Sequence, residues 1–219
     1  WNDETEHPGS ETPNQYTLAV LLGREINEDM RQLDTIKFGH YPEWADRTTH
    51  TYSNPSFPYG EINNSSGGGE MDLSITEVAF HDSASDTDYL KDALGRRYLA
   101  RSTYQAVVRY FNDVAGNPLD MLPDEPRNLR AINATDASGD IVLSWEAPDM
   151  QASTFTSTTP GNIGGDAPDE YVIYTSTDGK DYEYEATVTA PTTTYNVSGK
   201  GNGAQVYAFV TAKNDGGES

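Results

Sequence analysis

The chain has 219 residues and no cysteine, and its 14 Lys and Arg stand against 35 Asp and Glu for a net charge of −21. That balance argues against nucleic acid as a partner, because a phosphate-binding face needs clustered cations, and it disfavours adsorption to an anionic membrane. The absence of cysteine excludes disulfide scaffolds, thiolate zinc sites and cysteine nucleophiles, and no run of about 20 apolar residues is present to span a bilayer.

From Pro13 to Leu33, apolar residues recur at three- and four-residue steps: Ala19, Leu22, Ile26, Met30 and Leu33. That spacing predicts a helix with one apolar face, with Pro13 in its first turn and Thr12 as N-cap. Residues 34–69 read as a long loop. It carries Phe38, Tyr41, Trp44, Tyr52, Phe57 and Tyr59, which either stack on sugar rings or pack the loop against the helices. Gly67-Gly68-Gly69 lacks the Lys-Ser/Thr of a phosphate loop and reads as a spacer. Residues 73–80, Leu-Ser-Ile-Thr-Glu-Val-Ala-Phe, predict a strand. A second helix is expected over residues 86–112, with Ala93, Ala100, Tyr104, Val107 and Phe111 facing inward and Asp86 and Asp88 at its positive end.

After Pro123 the hydrophobic period changes to two. Residues 141–145, 171–174, 187–189 and 206–210 form short alternating runs separated by turn signals such as Ser138-Gly139-Asp140 and Asp178-Gly179-Lys180. This grammar predicts an antiparallel sandwich. The proline-rich stretch 117–125 is the expected linker between a first domain at 1–116 and a second at 126–219. Charge is spread evenly, with nine Lys and Arg against 20 Asp and Glu in residues 1–123 (−11) and five against 15 in 124–219 (−10). Such whole-surface acidity fits a protein kept soluble outside the cytoplasm. Residue 1 is Trp rather than Met, which reads as a processed product or a fragment.

The second half resembles a fibronectin type III domain. The resemblance rests on Pro126-Arg127-Asn128-Leu129, on Leu143-Ser144-Trp145-Glu146-Ala147-Pro148, on Tyr171 to Ser176, and on Tyr207 to Asn214 with the exit Gly216-Gly217-Glu218-Ser219. It implies that Trp145 and Tyr207 lie in the core and that a seventh strand is lacking, leaving strand 206–212 with an open edge. Gln151 to Asp166, rich in Ser, Thr and Gly, reads as a plain insertion or a ligand-binding loop between the second and third strands.

The first half resembles the C-terminal part of the zinc-dependent, doubly wound N-acetylmuramoyl-L-alanine amidases. Ile75-Thr76-Glu77-Val78-Ala79-Phe80-His81-Asp82, the following Asp86-x-x-Tyr89-Leu90-Lys91-Asp92, and Gly9-Ser10-Glu11-Thr12 carry it. The implied fold is α/β, with helices flanking a mostly parallel sheet, followed by the all-β module. The implied role of Glu77 is general acid/base beside a zinc-bound water. The zinc ligands are expected upstream of Trp1, so the metal is a cofactor held outside this segment. His81-Asp82 departs from the family pattern, and Glu77 alternatively pairs with Arg96 or Arg97. His7, His40, His50 and His81 are scattered without metal-ligand spacing.

These readings converge on a secreted or surface bacterial protein, located in the periplasm, at the cell surface or outside the cell. Its expected activity is hydrolysis of the muramoyl-L-alanine amide of peptidoglycan. Two rivals stand beside it: an inactive amidase-like module that binds the glycan, and a structural component that docks a surface-protein partner through the open edge.

Overall fold

The computed structural model describes residues 14–33, 72–116, 118–136, 138–149, 164–201 and 203–219. These fall into two compact units, which divide between Leu119 and Asp120.

In the first unit, helix α1 spans Gln15–Leu33, α2 spans Ala84–Lys91 and α3 spans Ala93–Ala115. Helices α1 and α3 pack along one another. Ala19, Leu22 and Met30 of the expected α1 stripe are buried, while Ile26 is half-buried. Leu33 closes the helix, and its side chain lies outside the described residues. The same helix also buries Glu25, Glu28 and Asp29. Arg109 of α3 donates from Nε to Glu25 Oε2 at 2.9 Å, so an ion pair bridges the two helices. Asp72 adds a second tie, accepting from Asn14 N at 3.2 Å and from the Tyr110 hydroxyl. Burial and that carboxylate push the Tyr110 phenol up to about 12.

Helix α3 departs from the expected stripe. Ala93, Ala100 and Phe111 are exposed, whereas Gly95, Ser102, Gln105, Ala106, Val108 and Tyr110 are buried. Serine is tolerated there because the Ser102 hydroxyl bonds back to the carbonyls of Tyr98 (2.9 Å) and Leu99 (3.1 Å). The single helix expected over 86–112 is in fact two. Asp92 stops α2 and starts α3: its backbone is extended, its N–H reaches Asp88 O at 3.0 Å, and its carboxylate accepts from Leu94 N and Gly95 N. Gly95 is required at this corner, since a Cβ there would sit 2.7 Å from Tyr89 O.

The second unit is built from β1 Arg127–Asn133, β2 Ile141–Glu146, β3 Glu170–Ser176, β4 Glu183–Thr189, β5 Thr194–Val197, β6 Tyr207–Asn214 and β7 Gly217–Glu218. They form two antiparallel sheets, ordered β1-β2-β5 and β4-β3-β6-β7. Leu143, Trp145, Tyr171, Ile173, Val197, Val210 and Ala212 interdigitate as the core, with the Trp145 and Tyr171 rings edge-to-face at 5.4 Å. Alternation along β6 turns Val210 and Ala212 inward, which puts Tyr207 on the other face. Tyr207 is 38% exposed and the buried tyrosine is Tyr171. Strand β7 pairs only with Lys213 and Asn214, so among the described residues Tyr207–Thr211 has a strand partner on the β3 side alone. Part of the expected linker belongs to this unit. Met121 and Pro123 are buried, Met121 N donates to Asp166 Oδ2 at 2.7 Å, and Asn214 Nδ2 donates to Met121 O at 2.9 Å.

The expectation of an α/β domain with a mostly parallel sheet is not met. Every strand pairing among the described residues is antiparallel and lies within 127–218. Residues 72–80 carry β-branched residues, yet they join no ladder. Composition favours a strand only where a neighbour accepts its hydrogen bonds. Among the described residues the first unit is helical, and the fold is mainly antiparallel β with few helices.

Two measurements test these packing arguments. A Cβ on Gly216 would land on the Asp120 carbonyl oxygen, so Gly216→Ala should lose about 1–3 kcal/mol in urea unfolding. Lys200 Nζ lies 2.7 Å from Glu185 Oε2, and this hydrogen bond, ahead of the Thr175 hydroxyl, holds the Glu185 carboxyl below its ordinary range against the opposing effect of burial. A depressed folded value stabilises fully above the unfolded carboxylate range and is lost as pH falls through the folded value. The gap in urea midpoint between wild type and Glu185→Gln should therefore close on acidification from pH 7 to pH 3.

Candidate functional site

Glu77 lies in residues 72–80, between α1 and the α2–α3 pair. These elements line a mostly apolar cavity of about 220 Å³ that is open to solvent on one side. Leu22, Ile26 and Met30 form one wall, residues 74–79 another, and Tyr89, Gly95, Arg96 and Leu99 close the end formed by α2 and α3. Glu77 is exposed at this wall. Among the described residues no hydrogen bond or ion pair holds its carboxylate, and Arg96 is committed elsewhere. Arg96 Nη1 donates to Leu90 O at 2.8 Å and Lys91 O at 2.6 Å, satisfying the last carbonyls of α2. A carboxylate left in water beside an apolar recess can exchange protons with a bound molecule, which a carboxylate locked in an arginine fork does poorly.

The chain turns sharply just after Glu77. Ser83 N donates to Phe80 O at 3.1 Å, placing His81 and Asp82 at the exposed corners of the turn. Ser83 then caps α2, its hydroxyl accepting from Asp86 N at 3.4 Å. His81 therefore has a loop position and, among the described residues, is not gathered with other ligating groups. His7, His40 and His50, the aromatic residues of 34–69, Gly9 to Thr12 and Gly67 to Gly69 lie outside the described residues. Among the described residues no group of three or more His, Cys, Asp or Glu side chains could hold a metal. The zinc implied by the resemblance does not fit them. No described helix is long and apolar enough to cross a membrane.

A second recess, in the sandwich, is lined by Thr175, Ser176, Asp178, Asp181, Glu183 and Lys200. Several of its polar groups are already engaged. Asp178 accepts from the backbone N–H groups of Asp181 and Lys180 and from the Ser176 hydroxyl, which together lower its pKa, and Lys200 pairs with Glu185. This recess is a braced turn.

The sequence pattern singled out Glu77 but gave no sign of the cavity beside it. The cavity depends on two helices meeting at Asp92, and the signal for that was present in the Asp92-x-x-Gly95 spacing.

No protein-family model matches the chain, and no curated protein matches it. Two similar solved structures are those titled domains A168–A170 from titin, and titin kinase and its flanking domains. Each is 20% identical with a TM-score of 0.33. The alignments cover 47% and 45% of this chain but only 30% and 15% of those chains.

Removing the Asp92 side chain should open the α2–α3 corner. Asp92→Ala is expected to cost about 1 kcal/mol of stability, the usual value of an N-cap, whereas Asp92→Asn, which keeps an acceptor oxygen, should cost a few tenths. Thermal unfolding of the two variants checks the order.

Proposed function

We propose that this chain is part of an extracytoplasmic cell-wall hydrolase that cleaves the amide between muramic acid and the stem peptide of peptidoglycan. Glu77 is the proton-transferring carboxylate in this reading. The observation that carries it is the position of Glu77, exposed at the wall of the cavity and, among the described residues, without a hydrogen-bond or ion-pair partner, while Arg96 caps α2. Amide hydrolysis needs a base to take a proton from the attacking water and an acid to deliver one to the leaving amine, and one accessible carboxylate serves both.

The zinc that the amidase resemblance implies belongs, in this reading, to residues other than the described ones, and no step here passes through it. The sandwich unit, read as a fibronectin type III module, acts as a spacer or docking element. Its core is assembled from Trp145, Tyr171 and their neighbours.

Glu77→Gln should lower turnover of a muramoyl-peptide by about 10²–10⁴-fold, the usual worth of a general acid/base, while circular dichroism and the melting temperature stay at wild-type values. Undiminished turnover in that variant removes Glu77 from catalysis. Undetectable turnover in the wild type, with retained binding to purified peptidoglycan, replaces the hydrolase by a wall-binding module.

A further inference from the structure

We propose that Asp86 is a positioning residue for Glu77, acting through the backbone of Phe80; the inference rests on the hydrolase reading above. In a usual capping box, the side chain at the third helical position returns to the N–H of the N-cap residue. Ser83 is the N-cap of α2 and Asp86 occupies that third position. The Ser83 N–H is already taken by Phe80 O at 3.1 Å. The Asp86 carboxylate reaches past it, and Oδ2 accepts from Phe80 N at 3.0 Å. Its other oxygen accepts from the Ser85 hydroxyl at 3.4 Å.

Both backbone polar groups of Phe80 are therefore tied to the start of α2, three residues after Glu77. Residues 74–79 join no ladder that could fix them. The tie at Phe80 restrains the end of this stretch that follows Glu77, as the bonds of Asp72 to Asn14 and Tyr110 restrain its start. It sets how far Glu77 stands from the cavity wall, where Asp86 itself also lies. Phe80 is 66% exposed, so packing of its ring cannot replace the bond. A misplacement on the order of 1 Å at a catalytic group lowers turnover strongly while leaving substrate binding nearly intact.

The test uses the full protein and the variants Asp86→Ala and Asp86→Asn. Asp86→Ala should raise the hydrogen-exchange rate of the Phe80 amide at least tenfold, with exchange in α1 and α3 unchanged. On a soluble muramoyl-peptide, its kcat should fall about tenfold or more with KM within twofold. Asp86→Asn keeps an acceptor oxygen and should restore both the Phe80 protection and most of kcat. Unchanged Phe80 exchange in Asp86→Ala overturns the inference. So does an Asp86→Asn variant as impaired as Asp86→Ala, which would make the charge the active feature. If the wild type has no turnover, the hydrolase reading fails and Asp86 is no longer a positioning residue for catalysis, whatever the exchange at Phe80 shows. A normal kcat in Asp86→Ala, with an active wild type, overturns the role of Asp86 alone.

Discussion

The interaction on which both units depend is a short carboxylate accepting a backbone N–H where no helix or ladder supplies a partner. Asp72 receives the N–H of Asn14, Asp86 that of Phe80, and Asp92 those of Leu94 and Gly95. In the sandwich, Asp166 receives Met121, and Asp178 receives Lys180 and Asp181. A backbone donor without a partner costs about 1–3 kcal/mol when shielded from water. Part of the acidity of this chain thus has a structural use, one that a charge count assigns to solubility alone.

The two units meet the requirement of burial differently. The sandwich buries an apolar core, with Tyr171 and Ile173 of one sheet facing Leu143, Trp145 and Val197 of the other. The helical unit instead carries charge inside: Glu25 is fully buried against Arg109. A buried ion pair adds little net stability but penalises any packing that separates its members. It therefore fixes the register between α1 and α3, and with it the shape of the cavity that α1 helps to form.

How much of this was legible depends on which physical signal a segment used. The strands were readable because period-two alternation has one explanation when turns flank it, and Trp145 lies in the core as expected. Tyr207 was misplaced because an aromatic residue on a strand belongs to either face, and only the pairing of β6 with β3 decides. The α3 stripe was misread because its buried face contains the polar residues Ser102 and Gln105, Ser102 being satisfied on carbonyls of its own helix. Residues 73–80 have strand composition, and sequence alone does not reveal whether a neighbour exists to pair with them. Glu77 was singled out through a motif, whereas the engagement of Arg96 with the carbonyls of Leu90 and Lys91 is visible only in the fold.

The junction at Asp92 leaves no slack between α2 and α3. One residue serves as the end of the first helix and the start of the second. Adding or deleting a residue there would advance the helical phase by about 100°, swinging α2, and the turn bonded to it, around the axis of α3. Natural variation in length should be excluded from this corner, and related chains should differ here in side chains only.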